Sequence, residues 1–175
     1  MYEESPYPPW QTVAWHVPRP FRQVTSQMFP AAMLPEIKDG MANMLIAGCG
    51  TGKQAIMSAS RFTDSRMLAV DLSLSSLAYA QRKADELSIE NIKFAHADIL
   101  RMATLPDHYH VIESVGGVHH MENPQQGLAG LVHKNGLMNI GLYSELALAI
   151  SPGCRPVSGR PALRAFQKGS GVPGK

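Results

Sequence analysis

The sequence predicts an α/β fold with a doubly wound, mostly parallel sheet. Three observations predict it: short apolar runs recur along the chain, helical patterns lie between them, and a glycine-rich turn directly follows the first run. Continuous short apolar runs are typical of strands that are buried on both faces. Strands that alternate with helices are joined by right-handed crossovers, which makes them parallel. The predicted strands are residues 43–47, 67–70, 91–95, 109–115 and 137–142.

Helical patterns fill the intervals between these strands. Residues 52–61 follow the first strand, and residues 73–87 follow the second, with Ser73 in the position of a helix N-cap. A third helix is expected at Asn123-Pro124, because proline is favoured in the first turn of a helix. The apolar face predicted for the 73–87 helix consists of Leu74, Leu77, Ala78, Ala84 and Leu87.

Composition divides the chain into three parts. Residues 1–40 are rich in proline and aromatic side chains without a clear period, and we expect an irregular lead-in there with a short helix or two. Residues 41–150 form the predicted domain. Residues 151–175 contain four prolines and five glycines. Such a composition buries too little apolar surface to fold, so this tail is predicted to be disordered.

The net charge of +2 is distributed unevenly. Residues 1–150 carry 11 basic and 14 acidic side chains, whereas residues 151–175 carry five basic and no acidic ones. The charge of the domain therefore does not indicate a nucleic-acid partner. No apolar run approaches the roughly 20 residues of a membrane span, and the acidic N-terminus is not a secretory signal. The two cysteines lack metal-ligand spacing, so a cytoplasmic location is expected.

The glycine turn is the strongest functional signal. Gly48, Gly50 and Gly52 follow the first strand, and the second strand ends in Asp71. Glycines let the backbone approach a ligand closely, and the helix N-terminus behind them offers N–H groups. A carboxylate at the end of the second strand is placed to hold a ribose diol. The pattern predicts a cofactor that contains a nucleoside.

Two other nucleotide-binding motifs fit this turn less well. A dinucleotide fingerprint is G-x-G-x-x-G, and here the third glycine falls one position early. A phosphate-binding loop is G-x-x-x-x-G-K-[ST], and residues 47–54 instead give A-x-x-x-x-G-K-Q. Gln54 lacks the hydroxyl group that would hold Mg²⁺.

Four segments in order resemble one known family: AGCGTG at 47–52, VDLS at 70–73, FAHADI at 94–99 and ESVGGVHHM at 113–121. Together they resemble the class I S-adenosylmethionine-dependent methyltransferases. The wider run, with AWHVPRPF ahead and GLYSE behind, resembles a bacterial branch that is often fused to tetratricopeptide repeats. The resemblance implies a Rossmann-like fold whose seven strands have the spatial order 3-2-1-4-5-7-6.

The resemblance also implies a site for S-adenosylmethionine. Asp71 would hold the ribose hydroxyls, and Asp98 would meet the adenine amino group. A helix N-cap is the alternative for Asp71, a surface cap for Asp98, and a plain strand-to-helix turn for the glycines. The cofactor-binding residues that the resemblance implies are Gly48, Cys49, Gly50 and Gly52 at the methionine part, Leu72 and Ile99 at the adenine, Asp71, Asp98, and Ser114.

The sequence departs from the family pattern at one position. The family usually has an acid two residues before the first glycine, where this chain has Ile46. That acid helps to hold the amino group of the cofactor. The contact is then expected from the backbone near Ser114, with Glu113 taking over some of the charge. The alternative is that the cofactor binds more weakly.

Few residues in the sequence indicate which molecule accepts the methyl group. The candidates for the acceptor pocket are His119, His120 and Tyr143. Because adjacent residues of a strand point to opposite faces, His119 and His120 are not expected to bind one metal ion together. Methyl transfer from a sulfonium ion requires positioning and at most a base. The (Asn/Asp/Ser)-Pro-Pro-(Tyr/Phe) element of amino-methylating nucleic-acid enzymes is absent from residues 113–117. A small molecule or a protein side chain is the expected acceptor.

The predicted strands number five of the seven that the family implies. We expect a truncation near the C-terminus, which leaves the fifth strand as a sheet edge prone to self-association. Two functions follow. One is S-adenosylmethionine-dependent methyl transfer to a small-molecule or protein acceptor. The other is a non-catalytic remnant that at most binds S-adenosylmethionine or S-adenosylhomocysteine.

Overall fold

The computed structural model describes residues 9–99, 109–115 and 132–141. These residues form five strands and three helices, and every strand pair in the sheet is parallel. The spatial order is β3-β2-β1-β4-β5, so the predicted α/β class, parallel sheet and strand order are confirmed. In chain order the elements are α1 (Phe21–Met28), β1 (Ala42–Ala47), α2 (Lys53–Arg61), β2 (Ser65–Asp71), α3 (Leu74–Glu86), β3 (Ile92–His96), β4 (Tyr109–Val115) and β5 (Val132–Gly141).

The central strand β1 gathers the carboxyl ends of its neighbours around the glycine turn. Ile46 lies in register with Ala69 of β2 on one side and with Glu113 of β4 on the other. Asp71, the last residue of β2, is in register with His96 of β3. Because parallel strands end at the same edge, residues that follow β1, β2 and β3 share one rim of the sheet.

Each face of the sheet carries its own hydrophobic cluster. All three described helices contribute to the cluster on one face, through side chains such as Phe21, Ile56 and Leu77 that pack against Met44 and Ile46 of β1. The opposite face carries a smaller cluster around Leu45, Val70 and Ile112. Alternate residues of β1 therefore face opposite sides, as the pleat of a strand requires.

The buried face of α3 differs from the predicted one. Leu77 and Ala84 are buried as expected, but Leu74 is 58% exposed and Ala78 is also exposed, so the prediction was wrong for these two. Their places are taken by Ser76 and Ala80. Small side chains let the helix approach the glycine turn closely, and Ala80 lies directly against Gly52. Ser73 is the N-cap as predicted, since its hydroxyl group accepts a hydrogen bond from the Ser76 N–H at 3.2 Å.

The described part of the lead-in folds onto the domain. It contains α1, the short helix that the composition suggested, which begins after Pro20. The Phe21 ring packs edge-on against Phe62 with centroids 5.5 Å apart, and Arg19 forms a bridge to Phe62. The helix expected at 123–124 and the tail 151–175 lie outside the described residues.

Candidate functional site

The glycine turn begins where β1 ends beside β2. The N–H groups of Gly48 and Cys49 both donate to the carbonyl oxygen of Val70 at 2.9 Å, and the Gly52 N–H donates to the Cys49 carbonyl at 2.9 Å. Gly48, Gly50 and Gly52 have φ angles of 72°, 52° and 80°. Residues that carry a side chain rarely adopt such φ angles, so the turn requires glycine at these three positions.

Two of the glycines serve different purposes. A Cβ atom added to Gly50 would meet nothing within 4 Å, so the backbone here borders open space. A Cβ atom added to Gly52 would lie 2.5 Å from the Cβ of Ala80. Gly50 therefore leaves room for a ligand at the turn, whereas Gly52 lets α3 pack against the start of α2.

Asp71 connects the end of β2 to the turn through both carboxylate oxygens. Its Oδ2 accepts a hydrogen bond from the Gly50 N–H at 2.7 Å, and its Oδ1 accepts one from the Ser73 N–H at 2.9 Å. Since Ser73 is the N-cap of α3, the alternative of Asp71 as that cap does not hold. Each carboxylate oxygen has a second acceptor site. The predicted ribose contact of Asp71 is compatible with this geometry and stays a prediction.

The residues predicted to meet the adenine lie along the same rim. Leu72 is 63% exposed, and its carbonyl oxygen lies 3.0 Å from His96 Nε2. Asp98 is half-buried after β3. Ile99 is only 9% exposed and belongs to the smaller core cluster, so its side chain is largely occupied with the core. The adenine roles of all three residues stay predictions.

Cys49 and Ser114 are held inside the fold. Cys49 is buried in the helix-side cluster, and burial together with the nearby Asp71 carboxylate raises the pKa of its thiol far above the ordinary value. Ser114 is fully buried, and its Oγ donates to the Ala47 carbonyl oxygen at 2.8 Å. The Ser114 hydroxyl therefore joins β4 to the last residue of β1, and any cofactor contact here is left to the backbone.

Trp10 of the lead-in lies behind the glycine turn. Its indole N–H donates to the Thr51 carbonyl oxygen at 2.8 Å, and its ring packs edge-on against Tyr79 of α3. The Trp10 side chain is 5% exposed. Sequence reasoning gave Trp10 no role at the site, because no motif links residues that are 41 positions apart.

Glu113 lies on the helix-facing side of β4, in register with Ile46 of β1. Its Oε2 accepts hydrogen bonds from Ser58 Oγ at 2.7 Å and from Gln54 Nε2 at 3.3 Å. The carboxylate borders a cavity of about 440 Å³ between α1, α2 and the strands β4 and β5. This partly buried carboxylate lies next to Ile46, the position where the sequence lacks the expected acid.

Other predicted residues cannot be placed. His119, His120 and Tyr143 lie outside the described residues. Within the described ranges, His, Cys, Asp and Glu side chains form no group of three that could hold a metal ion. None of the helices in these ranges combines the length and the hydropathy that a bilayer crossing requires.

Curated relatives cover a large part of this chain but extend well beyond it. An uncharacterised Synechococcus protein is 29% identical over 85% of the chain and 37% of its own length. A tRNA (guanine-N(7)-)-methyltransferase of Rubrobacter xylanophilus is 30% identical, over 74% of the chain and 56% of its own length. An (S)-coclaurine N-methyltransferase of Papaver somniferum is 33% identical over 51% of this chain and 25% of its own length. The chain thus spans between a quarter and just over half of these relatives.

The fold also has counterparts among solved structures. A coclaurine N-methyltransferase bound to N-methylheliamine and S-adenosylhomocysteine superposes with a TM-score of 0.53 at 22% identity, over 67% of this chain and 33% of that one. The family model described as a methyltransferase domain matches residues 44–134, just over half of the chain. With the glycine turn and the strand order, this match shows that the chain belongs to the class I S-adenosylmethionine-dependent methyltransferase family.

Proposed function

We propose that this chain binds S-adenosylmethionine and transfers its methyl group to a small-molecule or protein acceptor. The observation that carries the proposal is the pair of hydrogen bonds at Asp71, to Gly50 and to Ser73. They hold a carboxylate against a glycine turn whose outer side is open. The relatives and the family model support the same reaction class.

The residues present fit the cofactor. The positive φ and open surroundings of Gly50 provide a cradle that a Cβ atom would partly fill. Asp71 retains acceptor capacity for ribose hydroxyls, and the exposed Leu72 side chain offers an apolar surface beside it. When bound, S-adenosylmethionine supplies a methyl group on a sulfonium sulfur. The chain's own contribution is to bind this group and to orient it toward the acceptor.

The acceptor assignment is based on the charge of the domain. Residues 1–150 carry more acidic than basic side chains, which disfavours a phosphate backbone as partner. One curated relative is named as a tRNA methyltransferase and another as a coclaurine N-methyltransferase. The relatives therefore include an enzyme named for an RNA acceptor and one named for a small-molecule acceptor. For this reason RNA is included as a comparison in the activity experiment described below.

The cofactor proposal is tested by calorimetric titration of the full chain with S-adenosylhomocysteine. We expect Asp71→Ala to bind at least about tenfold more weakly, because charge-assisted hydrogen bonds contribute about 1.5–3 kcal/mol. Asp39→Ala is the matched control, since Asp39 is an exposed carboxylate that pairs with Arg66 on the protein surface. Absence of binding by the unchanged protein would overturn the cofactor assignment.

The reaction is tested separately with methyl-labelled S-adenosylmethionine and three acceptor pools: small molecules, proteins and RNA. We expect label in one of the first two. Label in RNA alone would overturn the acceptor assignment. Binding without transfer to any pool would favour the alternative of a non-catalytic binding protein.

We further propose a cytoplasmic location and self-association through β5. The location follows from two cysteines without a disulfide framework. Within the described sheet β5 pairs only with β4, which leaves its other edge for a second chain. A monodisperse monomer in light scattering at micromolar concentration would contradict the self-association.

A further inference from the structure

One face of α2 forms a wall of the cavity that Glu113 borders. The residues of this face follow one another at helical spacing: Gln54, Met57, Ser58 and Arg61. The other walls come from α1, from the segment that follows it, and from β4 and β5. Of the described residues that line the cavity, none belongs to the glycine turn, and Asp71 is not among them. The cavity is therefore a site separate from the proposed cofactor site.

The lining of this cavity is mostly apolar and rich in methionine. Five methionines line it: Met28, Met33, Met44, Met57 and Met138. Methionine side chains are flexible and polarisable, so they adapt to ligands of different shape. The volume of about 440 Å³ lies in the range of sites that hold small molecules. The cavity thus suits a small ligand with an apolar body.

Glu113 brings a negative charge to this apolar lining. Its Oε2 accepts hydrogen bonds from Ser58 Oγ at 2.7 Å and from Gln54 Nε2 at 3.3 Å, and both donors are neutral. No cationic side chain in the described ranges forms an ion pair with Glu113. A partly buried carboxylate in apolar surroundings is unfavourable unless a positive group pairs with it. The cavity therefore suits a ligand that brings a cation.

Arg61 lines the same cavity but is directed toward other groups. Its Nη2 lies 3.4 Å from Met28 Sδ, and its guanidinium carbon lies 5.9 Å from the centroid of the Phe62 ring. Arg61 is also the last residue of α2, where the helix dipole favours a positive charge. These contacts hold the guanidinium at the α1 side of the cavity, so the carboxylate on β4 is left to a ligand.

We propose that this cavity binds an organic amine with an apolar body, whose ammonium group pairs with the Glu113 carboxylate. Ser58 and Gln54 are positioning residues, because both hold Oε2 and neither uses Oε1. The proposal goes beyond the proposed function, since the ligand is not the cofactor and its site is a different one. It can therefore be tested without S-adenosylmethionine.

The test is calorimetric titration of the full chain at neutral pH with two probes of nearly the same shape. Phenylbutylamine carries an ammonium group at the end of its butyl chain, and phenylbutanol carries a hydroxyl group there. We expect the unchanged protein to bind the amine about 10- to 100-fold more tightly than the alcohol. Glu113→Gln should remove this preference, because it keeps the shape of the side chain and removes the charge. Glu86→Gln is the matched control, since Glu86 is exposed and pairs with Lys83 at the surface.

Several results would contradict the amine site. Equal affinities for the two probes, or no binding of either, would overturn it in the unchanged protein. An undiminished preference for the amine in Glu113→Gln would overturn the role of Glu113. Tighter binding of phenylbutyrate, the corresponding acid, would assign the cavity to Arg61 and an anion instead.

A second variant serves in case Glu113→Gln does not fold. Ala32 is half-buried on the cavity wall, so Ala32→Phe places a ring in the volume that the probes would occupy. We expect it to weaken both probes at least about tenfold. Asp71→Ala should leave both affinities unchanged. Unaltered binding by Ala32→Phe, or loss of the amine in Asp71→Ala, would show that the amine binds elsewhere and would overturn the proposal, whether or not the chain binds S-adenosylhomocysteine.

Discussion

Gly52 and Ala80 are in such close contact that a Cβ atom on Gly52 would lie 2.5 Å from the Cβ of Ala80 and 3.2 Å from its Cα. The contact joins the end of the glycine turn to the middle of α3. Because the second atom belongs to the helix backbone, the clash cannot be relieved by a side-chain rotation. The turn is thus part of the packing between α2 and α3 as well as a place for a ligand.

Gly52→Ala should therefore destabilise the fold much more than Gly50→Ala does. Both substitutions place a side chain at positive φ, which costs of order 1 kcal/mol, but only Gly52→Ala adds a steric overlap worth a further 1–3 kcal/mol. Urea unfolding of the two variants measures the difference. Equal losses of unfolding free energy would show that Gly52 and Ala80 do not touch in solution.

Sequence reasoning succeeded for the strands and failed in part for the face of α3. The run 109–115 coincides with β4, and its polar residues His110, Glu113 and Ser114 do not interrupt the strand, because each side chain has a hydrogen-bond partner within the fold. The predicted face of α3 included Leu74 and Ala78, because periodicity counts apolar residues and ignores how closely a helix approaches its neighbour. The apolar pattern predicts that β5 begins at residue 137, whereas the strand begins at Val132, because the polar stretch His133-Lys134-Asn135 breaks the pattern.

At the candidate site, too, some features could be predicted from the sequence and others could not. The glycine turn and Asp71 could be predicted, because their partners follow one another at short intervals along the chain. The Trp10–Thr51 and Glu113–Ser58 hydrogen bonds could not, since each joins residues more than 40 positions apart that no local pattern relates.

Trp10→Phe should lower the unfolding free energy by about 1–2 kcal/mol. The phenyl ring keeps most of the packing against Tyr79 but leaves the Thr51 carbonyl oxygen without its indole donor. Trp15→Phe is the control, because Trp15 is 56% exposed. Thermal unfolding followed by circular dichroism compares the two. A larger effect of the Trp15 substitution would argue against the placement of Trp10 behind the turn.

Cys49 should make the folded state less stable at alkaline pH. Burial raises the pKa of its thiol in the folded state, so above the unfolded-state pKa of about 8.5 the unfolded chain loses a proton that the folded chain keeps. The unfolding free energy then falls as pH rises, by up to about 1.4 kcal/mol per pH unit.

Urea unfolding between pH 7.5 and pH 10 checks this, with Cys49→Ala as the comparison. Lysine and tyrosine side chains titrate in both proteins, so the difference between the two slopes isolates Cys49. Parallel stability curves would mean that the thiol is accessible to solvent in the folded state.

The register of β1 against β4 has a consequence for how cofactor fingerprints are searched. Ile46 and Glu113 are 67 positions apart in the chain but adjacent in the sheet, with their side chains on the same face. A pattern that is written along a single strand records an acid as missing when the adjacent strand carries one. For parallel sheets, a fingerprint defined across hydrogen-bonded neighbours would include positions 46 and 113 together.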